Sequence, residues 1–177
     1  MKKSLFLLLL LAGLATFQAC NKDDDNTNET EIAATEDIAT SEDFAEQTDM
    51  DIDQAVEERG GSNDCPAVTT TAPWGTWPNT ITIDYGDGCT RPDGRVLKGK
   101  IIVVQTDEIR TAGAVRNVSH DNFFVDDVQI TGTRTWTNNG TDAAGLFSYS
   151  KSADIALLYP DGTSTNWTTV RTSTLVE

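Results

Sequence analysis

The stretch TITIDYGDGCTRPDGRVLKGKIIVVQT, residues 80–106, decides the fold class. In Thr80–Tyr85 isoleucine alternates with threonine and aspartate, the period-2 pattern of a strand with one buried face. Residues 95–106 form a second run, rich in Ile and Val. Between the two, Asp87-Gly88 and Pro92-Asp93-Gly94 supply the preset and positive φ angles that tight turns need. A connection this short makes the two runs antiparallel neighbours.

The same grammar continues toward the C-terminus. Strands are expected near Ala114–Phe124, Val128–Asn138, Leu146–Leu158 and Thr163–Val176, with turns at Ala112-Gly113, Asp126-Asp127, Asn138-Asn139-Gly140 and Pro160-Asp161-Gly162. Residues 65–177 therefore read as an all-β domain, an antiparallel meander sheet or a sandwich. Thr133-Arg134-Thr135-Trp136-Thr137 and Val170-Arg171-Thr172-Ser173-Thr174 share an x-Arg-Thr-x-Thr pattern, which suggests a repeated hairpin within one sheet. In the last strand neither side is cleanly apolar, so partial cover of the sheet is expected. A long open edge there suits strand addition by a partner, or a chain that continues further.

Before the β domain the composition changes. Phe44, Ala45, Ile52, Ala55 and Val56 fit a short amphipathic helix within 41–61, with Ser41 or Thr40 at its start and Gly60-Gly61 at its end. Asp49, Asp51 and Asp53 weaken its middle, since aspartate is a poor helix former. Its apolar face would dock on the domain or bind a partner. Residues 20–40 are rich in Asp, Glu, Asn and Thr and read as a disordered acidic tether. Charge follows this division: residues 20–64 hold 16 of the 28 carboxylates against Lys22 and Arg59 alone. The acidity belongs to the tether, and the absence of a clustered basic run argues against nucleic-acid binding.

At the N-terminus Lys2 and Lys3 precede the apolar run Leu5–Leu14, which is shorter than the ~20 residues of a membrane span. Residues 1–19 thus read as a signal peptide. Phe17-Gln18-Ala19-Cys20 resembles a lipobox, which implies acylation of Cys20, palmitate-type chains included, and cleavage before it. Asn21-Lys22-Asp23-Asp24-Asp25 is similar to the export signal of Bacteroidota surface lipoproteins. Two or more acyl chains anchor stably. The implied partners are the membrane, through Cys20, and the lipoprotein processing and export machinery. The implied address is the outer membrane, facing the exterior, with its periplasmic face as the alternative.

Lipidation of Cys20 leaves Cys65 and Cys89 as a pair, expected as a disulfide in an oxidising compartment. Cys65-Pro66-Ala67-Val68-Thr69, Trp77 through Cys89, Asp93-Gly94-Arg95 and Lys98 through Val103 resemble a group of Bacteroidota lipoproteins of unknown function. The resemblance implies a secreted β domain with the same bridge and transfers no catalytic residue.

No cofactor, metal or catalytic group is expected. His120, the single histidine, has Ser119 and Asp121 as chain neighbours, and adjacent strand residues point to opposite faces. Asp84, Asp87 and Asp93 crowd a turn, but their spacing is not that of an EF-hand. Trp74, Trp77, Trp136 and Trp167 are the candidate ligand-binding residues, as a platform for sugar rings. Two functions follow as expectations: a non-catalytic surface module that binds an unknown protein partner or joins a surface assembly, and a carbohydrate-binding module of a glycan-capture system.

Overall fold

The computed structural model describes residues 25–57 and 65–174. One helix, α1 (Asp25–Glu57), precedes β1 (Ala67–Thr70), β2 (Asn79–Asp84), β3 (Cys89–Thr90), β4 (Val96–Gln105), β5 (Val115–Val125), β6 (Val128–Thr141), β7 (Phe147–Leu158) and β8 (Ser164–Thr174). The strands form one antiparallel sheet in the order β1-β2-β4-β5-β6-β7-β8, with β3 paired to the first residues of β4. The single meander is thus the arrangement adopted. Two compact units divide the chain, Met1–Ala34 and Thr35–Glu177, and α1 crosses their boundary. From Thr35 onward the helix and all the strands belong to the second unit.

Side-chain alternation gives the sheet an inner and an outer face. Ile81, Val103, Val118, Arg134, Ala153 and Thr169 stand opposite one another across successive strands, so they share the inner side. Ile81, Ile83, Ile101, Val103 and Leu157 are fully buried there. Each such side chain contributes about 1.5–3 kcal/mol by leaving water. β5 carries one extra residue between Ser119 and Phe123. This bulge moves the inner face from the even positions Arg116 and Val118 to the odd positions Phe123 and Val125, so both halves of the strand bury apolar groups. Gly99, at φ +79°, lies opposite, and a Cβ there would run into the carbonyl of Asn122.

α1 covers part of this inner face. Ile52 and Ala55 are buried, and Phe44 and Val56 pack against the same core. The helix is longer than the 41–61 expected and ends at Glu57. It also reaches back through residues 25–40, which the composition marked as disordered. No Gly or Pro interrupts Asp25–Glu57, and once a docked turn is nucleated each added residue gains a hydrogen bond. The signal peptide, Cys20, Lys22 to Asp24 and the Gly60-Gly61 stop lie outside the described residues.

Asn138-Asn139-Gly140 is not a turn. Strand β6 runs on to Thr141, and the three residues form a bulge against β7. The asparagine and glycine that suit a turn serve the bulge instead: Gly140 takes φ +79°, and Asn138 Oδ1 accepts a hydrogen bond from Gly140 N–H at 2.7 Å. Asn138 is completely buried and donates from Nδ2 to the Ile109 carbonyl at 3.0 Å, which ties the β4–β5 connection to β6. The reversal falls at Asp142–Gly145, where Asp142 Oδ1 accepts from Ala144 N–H and Leu146 N–H, each at 2.9 Å.

Cys65 and Cys89 form a disulfide, with Cα atoms 5.7 Å apart, joining the chain before β1 to β3.

Candidate functional site

The three aspartates that weaken α1 as a helix each pair with a cation of the β domain. Along one flank Asp43, Gln47 and Asp51 recur every four residues: Asp43 and Gln47 meet Arg95 at 3.5 and 2.9 Å, and Asp51 pairs with Arg91 and accepts from the Tyr85 hydroxyl at 3.1 Å. Along the other flank run Ala45, Asp49 and Asp53. The Ala45 carbonyl accepts from Arg134, Asp49 meets Arg134 at 2.8 Å and Lys151 at 3.3 Å, and Asp53 meets Arg116 at 2.7 Å. An acidic helix therefore lies on a cationic sheet face. Spacing in α1 showed only the apolar stripe; the carboxylate rows needed four arginines from three distant segments to give them meaning.

Beyond the second flank the sheet stays partly open, and a groove of about 570 Å³ separates α1 from the inner face of β5–β8. That size lies within the range of small-molecule sites. Its sheet wall is ordered by register. One cross-strand row reads Arg116, Trp136, Lys151, Arg171, and the next reads Val118, Arg134, Ala153, Thr169. Trp167 stands a row further, opposite Ile155. Glu42, Glu46 and Met50 of α1 line the opposite wall.

Aromatic groups extend this surface. Trp136 stacks on Tyr149 at 5.7 Å between ring centroids, Tyr149 meets Phe147 at 6.3 Å, and the Lys151 ammonium sits 5.8 Å from the centre of the Tyr149 ring. Trp136, Tyr149, Phe147 and Trp167 are all half-buried, held by the sheet with part of each ring presented to solvent. Burial holds the Arg134 guanidinium below its ordinary pKa, while the Asp49 carboxylate opposes that shift. The guanidinium is the floor of the groove and is locked by α1.

The four tryptophans divide into pairs. Trp136 and Trp167 line the groove together. Trp74 and Trp77 lie in the β1–β2 connection, where Trp74 packs against the core and Asn79 braces the loop through the Ala72 N–H and carbonyl at 3.1 and 3.0 Å. They do not join the groove. Lys151, Tyr149 and Arg171 were missed as site residues. The signal for Arg171 was the repeated x-Arg-Thr-x-Thr pattern, which places Arg134 and Arg171 on the same inner face of β6 and β8.

His120 is turned into the inner face, stacked on Phe123 at 5.4 Å, with Nδ1 3.2 Å from the Gly132 carbonyl. Burial pushes its pKa down to about 4. Asp84 and Asp93 serve turns. Asp84 accepts from Gly86 N–H at 2.8 Å and pairs with Lys100 at 3.0 Å, and Asp93 accepts from Arg95 N–H at 3.1 Å. Both carboxyls are held below the usual carboxylate range, chiefly by those backbone donors. Among the described residues no group of three or more His, Cys, Asp or Glu side chains could hold a metal ion, and no helix is long and apolar enough to cross a membrane.

In comparison with known proteins, the chain matches no protein-family model, no curated protein and no solved structure.

Proposed function

We propose that the chain is a lipid-anchored surface protein whose non-catalytic β domain binds glycans in the groove beside α1. The observation that carries this reading is that Trp136 and Trp167, on alternate strands of one sheet, line one groove. Strands about 4.8 Å apart and a rise of about 3.3 Å per residue put their Cα atoms roughly 16 Å apart, the scale of a short oligosaccharide lying diagonally across β6–β8. Indole faces stack on sugar rings, and the polar groups between them supply what hydroxyls need: donors from Lys151 and Arg171, acceptors from Glu42 and Glu46. The anchor is carried by Cys20 with Phe17-Gln18-Ala19 before it, and the surface address by Lys22 to Asp25. Tryptophan fluorescence on titration with a panel of oligosaccharides tests the reading. A quench or shift is expected with at least one of them, lost in both Trp136→Ala and Trp167→Ala; silence of the unaltered protein across the panel overturns it.

A second reading has its own observation. β8 pairs only with β7 among the described residues, and its outward row Ser164, Asn166, Thr168, Val170, Thr172, Thr174 carries no charge, with Val170 80% exposed. Such a strand lacks the lysines, prolines and bulges that normally discourage pairing, which suits addition of a strand from a protein partner. Partner capture that fails when Thr168 and Val170 are both changed to proline, with the fold intact by circular dichroism, is the expected result; capture unchanged in that variant dismisses it.

A further inference from the structure

Resting on the glycan reading of the groove, we infer that its ligand is an anionic oligosaccharide, with a carboxylate or sulfate group held by Arg171 and Lys151 between the Trp136 and Trp167 rings. The groove's sheet wall carries four cations, Arg116, Arg134, Lys151 and Arg171, and among the described residues α1 answers them with two carboxylates in ion-pair range, Asp53 and Asp49. Asp53 is committed to Arg116. Asp49 is divided between Arg134 at 2.8 Å and Lys151 at 3.3 Å, and Arg134, at 10% side-chain exposure against 44% for Lys151, holds the nearer oxygen. Lys151 is thus under-neutralised. Arg171 has no carboxylate within 4 Å among the described residues and is exposed, whereas the other two inner-face arginines are buried and paired.

Register places these two cations side by side. Lys151 and Arg171 are directly opposed on β7 and β8, and Trp136 is opposed to Lys151 on β6. Like charges directly opposed across a sheet repel, a cost that an anion placed between them removes. A planar guanidinium recognises carboxylate or sulfate oxygens in a two-pronged fashion, while the ammonium adds a point charge. Glu42 and Glu46 stand on the helix wall, so the groove is polarised across its width. An acid group is accommodated on the sheet side only, with neutral hydroxyls toward α1.

The test uses the unaltered protein and Arg171→Gln, each titrated with tetragalacturonate, with its fully methyl-esterified form, and with a chondroitin tetrasaccharide in sulfated and unsulfated versions. Charge-assisted hydrogen bonds of ordinary strength predict at least ~10-fold tighter binding of an acid form than of the ester, and Arg171→Gln is expected to shrink that preference to about 2-fold or less, weakening the acid form more than the ester. The preference should also fall as salt rises. The chondroitin pair separates sources: a gain restricted to the sulfated form assigns the site to sulfate esters, and equal binding of both forms assigns it to uronate. Equal affinity for acid and ester together with no gain on sulfation, or a preference unmoved by Arg171→Gln, overturns the inference and leaves the glycan reading intact. Failure of every saccharide, across the wider panel as well, removes both. Arg171 is exposed on the last strand, so the substitution leaves the core untouched.

Discussion

At the scale of single residues, this sheet face carries ionisable groups whose cost depends on how far they are buried. His120 is the clearest. Its pKa in the fold, about 4, lies below the ordinary 6.5 because burial beside Phe123 disfavours the imidazolium. The unfolded chain therefore binds the proton more readily, so the neutral ring contributes stability in full above about pH 6.5 and loses it as pH falls toward 4. A loss on the order of 2 kcal/mol across that window follows. Urea midpoints at pH 7.5 and 4.5 should show it, and His120→Gln should lack this part of the slope; an unchanged slope would mean the ring is solvated. Asp51 and Asp53 make the second contrast. Asp51 is 8% exposed and bonds both Arg91 and Tyr85, so Asp51→Ala leaves a partly buried guanidinium and hydroxyl without an acceptor and should cost about 3 kcal/mol. Asp53 is 62% exposed and its partner Arg116, though buried, keeps the Gln105 amide oxygen, so Asp53→Ala should cost about 1–2 kcal/mol, less than Asp51→Ala. Equal chemical-denaturation losses for the two would contradict this ordering. Neither aspartate could be ranked from sequence, because burial of a carboxylate is set by where the opposing arginine comes from, and Arg91 and Arg116 lie 40 and 63 residues further along the chain.

At the scale of elements, the strands were legible because each carries its own evidence. Alternation, a turn with Gly or Asp, and short spacing gave β2, β4, β5, β7, β8 and the start of β6 without reference to anything distant. What failed was local chemistry with two uses. Asn138-Asn139-Gly140 satisfies a turn and a bulge equally, and the choice was made by the buried Asn138 amide reaching Ile109. The expected helix forms in α1 although its aspartates lower intrinsic propensity: they pair with arginines, so tertiary contacts outweigh a weak local preference. The same reasoning predicts how docking divides between apolar and charged terms. Ile52 is fully buried beneath the helix, and Ile52→Ala should cost about 2–4 kcal/mol through lost burial and the cavity left behind. That loss should persist in 1 M salt, where the exposed Asp53 contribution fades. Salt dependence concentrated in the Ile52 variant rather than the Asp53 variant would show that the core contact is not what holds the helix.

At the scale of the whole second unit, the molecule has two ends of different character. The β1 side is short, four residues, and is tied through the Cys65–Cys89 disulfide to β3. The β8 side is long, with the groove beside it. The pairing of the cysteines was legible, because assigning Cys20 to the proposed lipid anchor leaves only two thiols; the groove was not, because it is defined by register across four strands and by a helix from before the domain. This separation makes a testable distinction between stability and binding. Closing a loop of 24 residues restricts the unfolded chain, and in the chain-entropy account that is worth about 3 kcal/mol. Reduction, or Cys89→Ser, should therefore lower the urea midpoint by a corresponding amount. Strands β2 and β4 lie between the bridge and the groove, with Ile81, Ile101 and Val103 buried among them, so the inner face of β5–β8 retains its support when the bridge opens. Saccharide response through Trp136 should then be unchanged at temperatures where the reduced protein keeps its circular dichroism. Loss of that response from a still-folded reduced protein would instead mean that the β1 edge sets the register of the groove.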